Sequence, residues 1–507
     1  MIPRLLRHGA GRARAKRTAQ FATPRLQRQS LPRPVEGAAL PVGGLNDNTC
    51  RSPESTHLCY TRGRETLMFK LRLASTLLLA AIGAFAAAQV TTTHLLDQLS
   101  VPIYRDLLDN RLFTRMGHNR GYGQHHDPCR DFIEARYRSY GLNVRLHPFL
   151  LAGNTYYNVV AVLPGRVFPD QQYILIAHFD TVNNPGADDN GTGTAALLEV
   201  ARIAAEYRFE RTIIFIASDR EEDGMKGSAA YANEYRNDDI RGVINIDMIG
   251  YRPSGNAAHI YGRPASDPFK FALRDAILQY TDLVVAVGGE LNRSDHAPFE
   301  AVGKQAAFLI ERWWEQNPHY HQQTDSTETP DYIDYEYAVK MTRGAMGLLV
   351  DRAGLLPTFL PRGFVVTRGA PGFGTITEMY DSDDRTLEVR AVKPFEIAAP
   401  SAAIETWTEA SSQSATEITL AVESRSTGLP CRQSVELYDF QAGGWVVLDT
   451  RFVGSNDQRL MLDVSANATR FIQPGTRQVR ARIAANDWGI PVVGWSYHID
   501  RVNWIVR

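Results

Sequence analysis

Six short, almost wholly apolar runs constrain this chain more than any other feature: NVVAVL (158–163), YILIA (173–177), TIIFIA (212–217), GVINI (242–246), LVVAV (283–287) and AAFLI (306–310). A strand with one face in water alternates apolar and polar residues; a strand covered on both faces does not need to. Between the runs, Leu197, Ala201 and Ala204 recur at helical spacing, and 128–140 and 335–350 also read as helices. Strands alternating with helices over 93–355 predict an α/β domain, with a mixed, mostly parallel sheet sandwiched by helices.

The pattern changes after Leu355. Pro357, Pro361, Gly363, Gly369, Pro371 and Gly372 read as a linker. Period-two alternation follows, as in Ile418/Leu420/Val422, Leu460/Leu462/Val464 and Val479/Ala481/Ile483. It predicts an all-β sandwich over 373–507, expected to be an accessory domain with a possible surface or glycan contact.

The formal net charge of −1 conceals an asymmetry, because residues 1–67 carry 12 Lys/Arg against 4 Asp/Glu. The remainder is acidic, which gives no electrostatic footprint for nucleic acid. From Met68 the sequence reads as a secretory signal. Lys70 and Arg72 precede an apolar stretch, Leu73 to Ala86, and Ala86-Ala87-Ala88 is a small-residue cleavage site. Residues 68–88 are therefore expected to be a signal peptide, and 1–67 an upstream extension before the true start or a disordered segment. The apolar stretch is short for a span of ~20 residues, so no stable membrane anchor is expected and the protein is expected to be secreted or periplasmic. Cys129 and Cys431 are far apart and read as two structural thiols.

Chemistry gathers where strands end. YILIA runs into His178-Phe179-Asp180, TIIFIA into a loop holding Glu221-Glu222, and GVINI into Asp247. Two further loops hold Asp188-Asp189 and His319-Tyr320-His321. In open α/β sheets ligands bind at the carboxyl ends of strands. Two imidazoles and three carboxylates suit a pair of zinc ions, and a further carboxylate is needed to move the proton of an attacking water. At i, i+2 on a strand, His319 and His321 would face the same side, so spacing alone does not choose between them. His125-His126 reads as loop.

Taken together, these segments resemble the secreted bacterial zinc aminopeptidases with a co-catalytic metal pair. That zinc exopeptidase family also includes glutaminyl cyclases and carboxypeptidases. The resemblance covers about 95–352. It implies His178, Asp189, Glu222, Asp247 and His321 as ligands of two Zn2+, with His178 and Asp247 on one ion, Glu222 and His321 on the other, and Asp189 bridging. It implies Glu221 as general base, Asp180 as the carboxylate orienting His178, Tyr320 as an oxyanion donor, and the SDHAPF segment from Ser294 as site lining. The expected substrate is a peptide or protein, cleaved at its amino end. A carboxypeptidase would need a basic residue for the substrate carboxylate, and Arg252, Arg293 and Arg312 lie near site segments. The cyclases work with one zinc, whereas five ligands are kept here. Trp313 and Trp314 read equally as substrate wall or core.

Overall fold

The computed structural model describes residues 89–113, 119–393, 399–487 and 494–507. The segments read as an extension and a signal peptide lie outside these residues. No described helix is long and apolar enough to cross a membrane.

All six apolar runs are strands of one eight-stranded sheet. Its members are β1 (Asn143–Leu151), β2 (Asn154–Leu163), β3 (Phe168–His178), β4 (Arg211–Ser218), β5 (Asp239–Ile246), β6 (Ala257–Tyr261), β7 (Val284–Val287) and β8 (Ala306–Glu311), in the order β1-β2-β4-β3-β5-β8-β6-β7. β4, β3, β5 and β8 run parallel, as do β6 and β7, while β1, β2 and the β6–β8 pairing are antiparallel. β1 and β6 are additional to the runs read from sequence.

The uninterrupted apolar runs have a direct cause. Leu175 and Ala177 of β3 enter one core with Leu197 and Met341, on helices Gly193–Ala204 and Tyr335–Ala353. Ile174 and Ile176 enter the opposite core with Tyr231 and Phe299, on helices Lys226–Glu234 and His296–Ala301. Alternate residues thus face two dry layers, and truncating one of these Leu or Ile side chains to Ala costs about 2–5 kcal/mol. Because the central strands are parallel, their carboxyl ends share one edge. His178 is level with Ser218, and Ile246 with Leu309.

The second layer of structure is a β-sandwich. One sheet has the order β10-β13-β18-β15-β16: Gly363–Arg368, Ser401–Glu409, Gln478–Asn486, Cys431–Asp439 and Gly444–Val453. The other has the order β11-β12-β19-β14-β17: Ala370–Pro371, Leu387–Arg390, Ser496–Val506, Ile418–Thr427 and Gln458–Val464, with β9 (Thr358–Phe359) also paired to β19. The Gly/Pro stretch read as a linker therefore already contains β9, β10 and β11, so the sandwich starts before residue 373. Gly and Pro are tolerated there because β10 and β11 are edge strands. Cys129 and Cys431 are buried free thiols.

The sandwich is fastened to the α/β layer. Arg501, on β19, is fully buried; its guanidinium bonds the Glu206 carboxylate and donates to the Glu206 carbonyl at 2.6 Å, lying 4.7 Å over the Tyr207 ring. Arg459 reaches the same carboxylate at 2.8 Å.

Candidate metal centre

β3 delivers His178 at its last residue, and the side chain is wholly buried. Its Nδ1 contacts the backbone carbonyl of Asp180 at 3.1 Å, and the Asp180 carboxylate lies further off, at 3.6 Å. With Nδ1 donating to a carbonyl, Nε2 keeps its lone pair for a cation. The Asp180 carboxylate instead accepts the amide hydrogens of Glu221 at 3.1 Å and of Glu222 at 3.3 Å. It ties the end of β3 to the loop after β4.

That loop turns sharply. Arg220 has φ +59°, and its guanidinium lies 4.1 Å from both the Tyr122 and the Tyr156 rings. Met248, which follows Asp247, and His321 also have positive φ. For bulky side chains this backbone costs free energy and persists where packing enforces it.

Asp189 is the centre of the arrangement. Its Oδ1 lies 3.3 Å from His178 Nε2, which is itself 3.4 Å from Asp247 Oδ1. Its Oδ2 lies 3.0 Å from His321 Nε2, which is 3.2 Å from Glu222 Oε2. The two oxygens of one carboxylate thus face two separate His–carboxylate pairs. Donor atoms held ~2.0–2.1 Å from one tetrahedral zinc lie about 3.3 Å apart, so these spacings fit two ions sharing Asp189. His178 Nε2, Glu222 Oε1 and Asp247 Oδ1 are also buried without hydrogen-bond partners, which is costly unless a cation takes them. The donor set therefore fits the zinc pair implied by the sequence.

Charge at the site is consistent with that fit. Burial opposes protonation of His321, but Asp189 and Glu222 outweigh it and hold the ring up to about 10 in the metal-free protein. Burial, and then Asp189, push Glu222 up to about 7. Glu221 is pushed well above the usual carboxylate range, first by burial, then by Asp295, Asp247 and Glu222, with His178 opposing. A site that repels its own negative charge this strongly is one that cations relieve.

Asp188 points away from Asp189. It accepts the Gly250 amide at 2.7 Å and the Thr192 hydroxyl at 3.0 Å, and sits beside the buried Glu311 through Asn317. His319 is turned away too, with Nδ1 2.8 Å from the Thr324 hydroxyl and its ring 4.3 Å from Tyr332. The two histidines separate because the segment is a turn rather than a strand. Tyr320 stacks on His321 at 3.9 Å and lines the same pocket as Glu221, Glu222 and Asp247. Met248, Leu291, Phe308, Ile310 and Trp314 form the pocket's apolar walls. Trp313 instead donates to the Ser254 carbonyl. From SDHAPF, Ser294 donates to Asp247 at 2.6 Å and accepts from Asn245 at 2.6 Å.

Several supporting residues were not singled out from sequence. Asp325 accepts the amide hydrogens of Asp188 at 2.7 Å and Asp189 at 3.2 Å. Arg120, fully buried, donates to the carbonyls of Phe179, Pro185 and Gly186. His126, read from the sequence as loop, instead opens the helix His126–Ser139 and bonds Asp219 rather than a candidate ligand. Asp325 stands four residues beyond His321 in the segment NPHYHQQTD (317–325), a signal that could have found it. Arg120 has no such signal, because its partners are carbonyls some sixty residues away.

Residues 158–346 match the sequence model of Peptidase family M28, which accords with the zinc exopeptidase resemblance read from the motifs. A probable zinc metalloprotease of Pyricularia oryzae is 30% identical over 238 residues, covering 37% of this chain and 47% of that protein. Leucine aminopeptidase 1 of Paracoccidioides brasiliensis is 28% identical over 221 residues, covering 39% and 55%. The chain thus spans about half the length of these curated relatives. The aminopeptidase LapA of Legionella pneumophila superposes with a TM-score of 0.46 at 21% identity, over 52% of this chain and 74% of that one.

Proposed function

We propose that this protein is an exported metal-dependent exopeptidase, cleaving the N-terminal residue from peptides with two zinc ions and Glu221 as general base. The observation that carries the reading is the division of Asp189, one oxygen beside His178 and Asp247, the other beside His321 and Glu222. The curated relatives named above are a probable zinc metalloprotease and a leucine aminopeptidase, which supports the same chemistry.

Two zinc ions held by these five residues would supply Lewis acidity and bring the pKa of water down to about 7. Glu221 takes the proton of the attacking water and returns it to the leaving amine. Asp180, by accepting the Glu221 and Glu222 amides, fixes the backbone on which base and ligand diverge. The Tyr320 hydroxyl donates to the carbonyl oxygen as its charge develops. The first side chain of the substrate occupies the pocket walled by Met248, Leu291, Phe308, Ile310 and Trp314. Export rests on the segment 68–88, and Edman sequencing of the secreted protein tests it.

Metal analysis joined to an end-selective panel tests the chemistry. Expected are two zinc per chain and chelator-sensitive release of nitroaniline from leucine p-nitroanilide, with amino-blocked substrates resistant. Undiminished turnover after complete zinc removal would sink the reading.

A further inference from the structure

We infer that Arg293 makes the substrate pocket selective for a carboxylate carried by the residue that fills it. The inference rests on the metallopeptidase reading above, but not on which chain end is cut.

Three arginines lie near the site in sequence, and their surroundings separate them. The Arg252 guanidinium bonds the Asp334 carboxylate and donates to the Gly255 carbonyl. Arg312 bonds His259 Nδ1 at 3.1 Å and lies over Trp313. Neither lines the pocket that holds Glu221, Asp247 and Tyr320; Arg293 does. Arg293 is exposed, and its recorded contact among the described residues is with the Trp314 ring, 6.0 Å from the guanidinium. Among the described residues this cation of the pocket lining has no carboxylate partner.

Its position is fixed from both sides. Leu291 packs on the cluster of Met248, Phe308, Ile310 and Trp314 that forms the pocket wall. Ser294, the next residue, donates to Asp247 at 2.6 Å. The backbone next to 293 is therefore held by the proposed ligand Asp247, and the guanidinium, 6.0 Å from the Trp314 ring, lines the pocket.

Charge balance gives this position its consequence. Four carboxylates line the pocket: Asp189, Glu221, Glu222 and Asp247. Two divalent ions match them. Among the lining residues Arg293 is then the charge left over, beside the apolar side chains of Met248, Leu291, Phe308, Ile310 and Trp314. A side chain with methylenes for the walls and a carboxylate for the rim satisfies both. A planar guanidinium holds a carboxylate through two parallel hydrogen bonds. The carboxylate has two possible sources, an acidic first side chain or the free C-terminal carboxylate of a residue in the pocket.

The test uses the zinc-loaded full chain and compares kcat/KM for matched pairs. Glutamyl and glutaminyl p-nitroanilides differ only in the side-chain charge. Amino-blocked dipeptides with a free or amidated C-terminus differ only in the terminal charge. For at least one pair the wild type is expected to favour the charged member, and Arg293→Ala to erase that preference by about tenfold to a hundredfold. Arg293→Glu should invert it. Loss of preference in the first pair assigns the side-chain source, and in the second pair the terminal source. Unchanged ratios in both pairs, with chelator-sensitive turnover intact, overturn the role of Arg293 and leave the metallopeptidase reading standing. No chelator-sensitive hydrolysis of any substrate overturns both.

Discussion

His126 Nε2 lies 2.8 Å from Asp219 Oδ1; both side chains are buried, and Asp219 stands two residues ahead of Glu221. Burial opposes charge on His126, but the hydrogen bond and charge of Asp219 outweigh it and raise the imidazole above its ordinary value. A histidine raised in the folded state stabilises most below its unfolded pKa of about 6.5, and that contribution is lost as pH rises through the folded value. Wild-type protein should therefore lose stability relative to His126→Gln as pH rises from 5.5 to 9. Urea unfolding of both proteins across that range checks it; parallel curves would refute the linkage.

Glu221→Gln removes the proposed base while keeping the side chain's shape. The five proposed ligands remain, so zinc content should stay at the wild-type value, and kcat should fall by about 10²–10⁴-fold. Metal analysis alongside steady-state kinetics separates this from simple loss of metal. Near-normal turnover with full zinc would remove Glu221 from its role.

Asp325→Ala acts one step further out. Its carboxylate accepts the amides of Asp188 and Asp189, and so sets the backbone from which the shared carboxylate projects. Partners of this kind change metal affinity by about 10–100-fold. Zinc competition with a chromophoric chelator should show that weakening, with excess zinc recovering much of the activity. Unaltered affinity would mean the loop holds its shape without Asp325.

Arg501→Ala tests the fastening of the sandwich. It strands Glu206 in a buried site, and breaking such a pair from one side costs about 3–5 kcal/mol. Because Arg459 also reaches Glu206, the lower part of that range is expected. The urea midpoint reports it, and tryptic cleavage near residues 355–362 should accelerate. For the same reason, truncation after residue 356 would expose Glu206 and Tyr207 rather than release an independent module.

How much of this was legible follows from where information lies in the chain. Parallel strands buried on both faces announce themselves as apolar runs, and their polar ends announce the ligands. β1 was missed because its outer residues alternate and are broken by His147, which is buried against Asn158, and by Pro148. β6 is five residues long and carries His259. β10 was taken for linker because Gly363 and Gly369 bracket it, residues that an edge strand accommodates. At the site, His178, Glu222, Asp247 and the bridging Asp189 lie at strand ends or in recognisable loops. Arg120 could not be read, since what it holds is backbone and backbone has no sequence.

The two-faced burial of β3 carries one more consequence. A strand that is polar on one side cannot slip by a residue without turning its apolar set outward. YILIA is apolar on both sides, so such a slip would cost it little by hydrophobicity alone. What distinguishes the native register is the polar terminus, where one residue's displacement would withdraw His178 from Asp189 and Asp247. Under the proposed function, cation binding would favour the native strand pairing, since that register brings His178 to 3.3 Å from Asp189 and 3.4 Å from Asp247.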